Sequence, residues 1–306
     1  MGSGHDHDHD ASRVGRSRLI IVIGLIGTVF VAEIIGAILT GSLALLADAG
    51  HMLSDLIGLI IALVASVIAL RPASDRRTFG YRRVEVLAAL LNGLILSGVA
   101  VFVAIEGVKR LFDPEIAHPT PGPMFWVALL GLVANVIGLL LLRSSAGTSI
   151  NMRGAYLEVM GDTLGSIAVI VAAVIIWTTG FAQADAIASL VIAAMILPRA
   201  YSLLRDVVTV LLQSAPKETD VAEIRAHVLG TPGVVAVHDV HVWSITTGNP
   251  VFTAHVVVED AVFRENRAGA LLDQLGECLT EHFDVAHSTF QLEPEAHAAH
   301  EDEQHA

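Results

Sequence analysis

Six apolar stretches, roughly 19–40, 44–70, 84–108, 123–142, 153–178 and 183–204, are each long enough to cross a hydrocarbon core that needs about 20 helical residues. In lipid every backbone N–H and C=O must be paired within its own segment, so a chain built from such stretches folds as a membrane helix bundle. With 54% hydrophobic and 16% charged residues and a mean hydropathy of +0.65, a soluble globule is excluded for this part of the chain. The opening "MGSGHDHDHD" is polar and lacks a signal-peptide cleavage pattern, so the first stretch is read as a retained span. Arg13, Arg16, Arg18, Arg71, Arg76, Arg77, Arg82, Arg83, Arg143, Arg153, Arg199 and Arg205 fall on one side of the spans, and only Lys109 and Arg110 on the other. The positive-inside rule then places both termini in the cytoplasm of a multi-pass protein of the cell (inner) membrane.

Beyond residue 212 the pattern changes to that of a soluble domain. An amphipathic helix is expected near 218–229, strands at "VVAVHDVHVWSI", "PVFTAHVVVE" and "HSTFQLEP", and a helix at "RENRAGALLDQLGECLTEHF". The order helix, strand, strand, helix, strand predicts a small α+β sandwich. The expected organisation is a His/Asp-rich cytoplasmic tail (1–17), a six-helix transmembrane domain (18–212), a cytoplasmic α+β domain (213–294) and an acidic, His-containing tail (295–306). Cys278 is the only cysteine, which excludes an intrachain disulfide and a cysteine-based zinc cage. The net charge is −13, with no basic patch and no phosphate-cradling loop, so neither nucleic acid nor nucleotide is expected as a partner.

The chemistry lies in the second and fifth stretches. His51 and Asp55, and again Glu158 and Asp162, are four residues apart, which on a helix puts each pair on one face. If the two spans run antiparallel, His51 lies level with Asp162 and Asp55 with Glu158. Three ionised carboxylates in mid-membrane cost roughly 3 kcal/mol each on insertion scales, about 9 in all, comparable with the net stability of a whole domain. Either a divalent cation or protons must offset that. One imidazole nitrogen with carboxylate oxygens suits zinc, and a site that trades protons for a metal ion has the chemistry of an exchanger. Asp48 is read as an outer-end group outside this set. Glu33, Asn92 and Asn135 are candidates for supporting contacts or for packing.

The chain resembles the cation diffusion facilitator family, specifically its zinc-type exporters similar to the cobalt-zinc-cadmium resistance branch. The resemblance rests on "FVAEIIGAILTGSLALLADAGHMLSD", "RRTFGYRRVEVLAALLNG", "GAYLEVMGDTLGS", "VHDVHVWSITTG" and "TAHVVVE". It implies six helices, a ferredoxin-like, metallochaperone-like cytoplasmic domain, a homodimer, and export of divalent metal from the cytosol against protons by alternating access, with no enzymatic activity. By position, His51, Asp55 and Asp162 match the family's ligand pairs. Glu158 departs from it, standing where zinc-type members place a histidine. The site is thereby harder and more negative, so Co2+, Fe2+, Mn2+ and Cd2+ join Zn2+ as candidate substrates.

The family also implies that His238, His255 and Glu293 bind zinc in the cytoplasmic domain, with His241 and His287 as weaker candidates. Arg82 and Arg83 stand where the family commonly has a loop histidine, and are expected to face lipid phosphates. His5, His7 and His9, and His297, His300 and His305, have metal-binding composition. The rivals are a divalent-metal channel, disfavoured because a tight four-ligand site retains its ion, and a membrane-bound metal sensor, which leaves the intramembrane ligands unexplained.

Overall fold

The computed structural model describes residues 24, 27–69, 71–113, 119–143, 150–217, 219–246, 248–283, 285 and 287–298. The histidines of the opening tract, His300, His305 and the first arginines of the chain lie outside these residues. Among the described residues, ten helices and three strands follow one another: α1 (Gly27–Thr40), then α2 (Leu43–Ala69), α3 (Val84–Phe112), α4 (Pro121–Arg143), α5 (Ile150–Thr179), α6 (Gln183–Leu211) and α7 (Val221–Leu229). The remainder are β1 (Val234–Ser244), β2 (Pro250–Val258), α8 (Asp260–Arg264), α9 (Ala268–Phe283), β3 (His287–Pro294) and α10 (Glu295–Ala298). Among the described residues, four segments are long and apolar enough to cross a membrane: α3, α4, Tyr156–Thr179 of α5, and α6. The chain forms two compact units, 1–62 with 90–204 and 63–89 with 205–306.

In the first unit the helices meet on small side chains. Ala44, Ala47, Ala100, Ala128, Ala172, Ala173, Ala188 and Ala193 line its core, because without a hydrophobic drive between helices in lipid, close backbone approach supplies the packing energy. Large apolar residues such as Ile38, Trp126, Leu140 and Trp177 point outward, the inverse of a soluble protein. The α1–α2 corner is made by Gly41 at φ +69°, a conformation open to glycine without strain. Ser42 caps α2 by accepting from the Leu45 amide at 3.1 Å. Asp185, in the first turn of α6, adds a cap from a distant part of the chain. It accepts from Ser42 Oγ at 2.5 Å, from Leu43 N at 2.7 Å and from Ala44 N at 3.2 Å. Arg110, which also donates to the Gly41 carbonyl at 2.8 Å, lies 3.8 Å from the Asp185 carboxylate.

In the second unit, α7 starts where Asp220 accepts from the amides of Ala222 and Glu223, one turn later than the sequence pattern suggested. The sheet has the order β1-β2-β3, antiparallel between β1 and β2 and parallel between β2 and β3. The helix expected over 264–283 is divided. Asn266, at φ +55°, ends the short α8, and α9 begins at Ala268. α9 lays Leu271, Leu275 and Leu279 against Phe252, Val256 and Ile224, the i, i+4, i+8 stripe that its sequence encodes. The Arg82 guanidinium donates to Asn249 Oδ1 at 2.9 Å. Nearby, Thr246 donates to Glu85 at 3.2 Å and the Phe79 ring meets His287 edge-on at 5.8 Å. These contacts tie segment 71–85 to the β1–β2 turn and the start of β3 within this unit.

Candidate functional site

The first unit brings the two i, i+4 pairs together. His51 Nε2 lies 3.4 Å from Asp55 Oδ2 and 3.4 Å from Asp162 Oδ1, and Asp55 faces Glu158. Residue 51 thus meets 162, and residue 55 meets 158, which is the level pairing of antiparallel helices. Asp162 is 4% exposed and His51 8%, whereas Glu158 is about one-third open. Oxygen and nitrogen ligands at about 2.1 Å from one tetrahedral ion stand about 3.4 Å from each other. His51 Nε2 has that spacing to Asp55 and to Asp162.

Glu158 is held by another group. Arg199 of α6 donates from Nη2 to Glu158 Oε1 at 2.9 Å, lies 3.6 Å from Asp55 Oδ1, and brings Nη1 to 3.2 Å from His51 Nε2. By sequence Arg199 reads as a charge flanking the last span; the structure places its head among the candidate ligands. The available signal was position: the residue follows Pro198 inside the apolar run of α6, where an arginine is costly unless paired.

A second set of polar groups adjoins these. Glu33 is 1% exposed and Asp48 3%; they sit beside each other, and neither oxygen of Glu33 meets a donor among the described residues. Two glycines make the room. A Cβ at Gly131 would fall 2.7 Å from Glu33 Oε1, and one at Gly165 would fall 2.9 Å from Asp48 Oδ1. Asn135 donates to Ser166 at 3.4 Å, while Asn92 accepts from Ser54 at 3.1 Å. Glu33 and Asn135 therefore line the surroundings of the ligand cluster, and Asn92 pairs within α2 and α3.

The second unit gathers another trio. His238 on β1 is the register partner of His255 on β2, and Glu293 on β3 pairs with Val257, two residues beyond His255 on the same face. Glu293 is 1% exposed. Its Oε1 is 2.8 Å from His255 Nδ1 and its Oε2 is 3.4 Å from His238 Nε2. One ligand atom from each of the three residues lies within 4.8 Å of the others. Asp239, at φ +48° where the β1 register slips, places Oδ2 2.8 Å from His238 Nδ1. A carboxylate on the far ring nitrogen fixes the tautomer that turns the Nε2 lone pair towards Glu293, as in many metal sites. Gln291 donates to Glu293 Oε1 at 2.6 Å. His241 is exposed opposite Thr253, and His287 is exposed against Phe79, so neither joins the trio. Asp239 is the residue missed by spacing arguments, because a register slip is not visible in an alternating pattern.

Residues 19–212 match the family described as the cation efflux transmembrane domain, and residues 216–295 match the cation efflux protein cytoplasmic domain. The chain is similar to the metal cation efflux system protein CzcD of Cupriavidus metallidurans, at 45% identity over 96% of this chain and 90% of that protein. It is also similar to the cadmium, cobalt and zinc/H(+)-K(+) antiporter of Bacillus subtilis, at 37% identity over 96% and 93%. The zinc transporter ZitB of Escherichia coli is 38% identical over 94% of this chain and 92% of its own length.

Proposed function

The chain belongs to the cation efflux family, the cation diffusion facilitators, and from that premise we propose that it is a divalent metal/proton antiporter that exports metal from the cytosol. Zinc is the first substrate, with cobalt, cadmium, iron(II) and manganese in the accepted set. The metal binds in the membrane to His51, Asp55, Asp162 and Glu158; the observation that carries this reading is His51 Nε2 equidistant, at 3.4 Å, from Asp55 and Asp162. In this reading α1 and α2 complete a six-span domain over 18–212 with both termini cytoplasmic. The domain over 213–294 is ferredoxin-like, dimerises the chain and binds a second metal through His238, His255 and Glu293.

The protein's part in the exchange follows from its donors. Neutral imidazole and carboxylates bind metal only when deprotonated, so protons and metal compete for the same lone pairs. Loading from the cytosol releases protons, and protonation from the opposite side displaces the ion. A channel needs weaker, multiple sites.

Purified protein in proteoliposomes tests this. An imposed pH gradient is expected to drive zinc uphill, and zinc entry to move protons the other way. Zinc flux with no proton counterflow would make the protein a channel, and the absence of flux with intact binding would make it a sensor, the reading that the cytoplasmic trio alone favours. In the same vesicles Glu158→His, which supplies a second imidazole, is expected to shift the zinc-to-manganese flux ratio towards zinc by about tenfold. An unchanged ratio would show that residue 158 does not set selectivity. For the cytoplasmic trio, Glu293→Gln in the full-length chain is expected to lower bound zinc by one equivalent per protomer. Retention of full stoichiometry after dialysis would remove Glu293 from the ligand set.

A further inference from the structure

Arg199 has no place in the ligand scheme above, yet its guanidinium touches three of the four candidate ligands. Nη2 holds Glu158 at 2.9 Å and approaches Asp55 to 3.6 Å, while Nη1 stands 3.2 Å from His51 Nε2. An arginine nitrogen can only donate, so its contact with Nε2 uses the ring lone pair that a metal would need. The two cannot hold that atom together. We propose, resting on the antiporter reading, that Arg199 is a tethered competitor for the metal: between loads it neutralises the carboxylates, and the arriving divalent ion displaces it.

Three features support this assignment. The site carries three carboxylates, so a metal that leaves would expose an uncompensated cluster in low dielectric, and a guanidinium on a neighbouring helix replaces one of the two charges lost. Arginine suits the task because its charge persists at any working pH and its planar fork spans Glu158 and His51 at once. Pro198 precedes it, and in a helix interior proline removes the amide that would bond the Ala194 carbonyl. The backbone is therefore unlatched next to the side chain that must move. Competition of this kind lowers apparent affinity in proportion to the fraction of time the competitor is bound, so an arginine seated nine-tenths of the time weakens metal binding about tenfold. A transporter gains from that, because an ion held too tightly is released slowly.

The test is zinc affinity of the full-length protein in nanodiscs, measured by titration calorimetry on the parent, Arg199→Gln and Arg199→Lys, alongside proton-driven zinc flux of each in proteoliposomes. Arg199→Gln is expected to bind zinc about tenfold more tightly and to transport it more slowly at saturation. Arg199→Lys, which keeps the charge but cannot span Glu158 and His51 together, is expected to fall between. Tighter binding after loss of a residue is not what a merely structural arginine produces. Equal or weaker affinity in Arg199→Gln overturns the proposal; if that variant does not fold, an unchanged affinity in Arg199→Lys does so. Failure of the parent itself to exchange zinc for protons overturns the antiporter reading, whatever the variants show.

Discussion

Asp162→Asn is expected to abolish zinc transport while leaving the protein folded. The substitution keeps the shape of a side chain that is 4% exposed and removes only its charge, 3.4 Å from His51. Loss of a group that merely orients a metal ligand costs 10–100-fold in affinity or activity, so a directly ligating carboxylate should cost about a hundredfold or more. Asp162 is a better probe than Asp55 or Glu158, because those two also face Arg199 and would change two interactions at once. Zinc flux in proteoliposomes, normalised to protein recovered as a monodisperse peak, reads the effect. Flux above one-tenth of the parent would remove Asp162 from the coordination sphere and with it the four-ligand site.

The second large effect concerns stability. Asp185→Ala deletes the acceptor shared by Ser42 Oγ and the amides of Leu43 and Ala44, and leaves Arg110 without that carboxylate. The carboxylate is 2% exposed, so the groups it abandons find no water. Hydrogen bonds to a charged group contribute about 1.5–3 kcal/mol each, and breaking a buried charge pair costs about 3–5. Because these contributions overlap, the net expectation is a loss of about 3 kcal/mol, a fall of about 6–12 °C in the midpoint of thermal unfolding. Asp185→Asn keeps one acceptor oxygen and should lose roughly half as much. Unfolding followed by tryptophan fluorescence in detergent measures both. A midpoint within 2 °C of the parent, as a rough limit on a significant shift, would show that Ser42 alone suffices to start α2.

Much of this architecture is written in periodicities. The apolar runs, the alternating strands and the His51/Asp55 and Glu158/Asp162 pairs follow periods of 3.6 and 2, which single segments display without reference to the rest of the chain. The level pairing of 51 with 162 needed only the alternation of span directions. Three residues escaped because their roles depend on how separate segments meet. Asp185 resembles an ordinary acid in a first helical turn until the fold brings Leu43 to it. Arg199 resembles a flanking charge until the fold brings it against Glu158 and His51. Asp239 depends on a register slip between β1 and β2 that alternation conceals. The division between α8 and α9 was hidden for a related reason: Asn266 is compatible with helix in composition and stops it only by adopting a left-handed backbone.

The Asp185 contacts also bear on how α2 can move. They fix its first residues, Leu43 and Ala44, whereas His51 and Asp55 lie about 12 and 18 Å further along the axis. A rod held at one extremity is a lever. Tilting α2 by about 10° around Leu43 sweeps His51 through about 2 Å and Asp55 through about 3 Å, comparable with a whole metal–ligand bond. A small rotation about a stationary pivot is thus sufficient to open or close the coordination sphere, with no need for the helix to slide along its length.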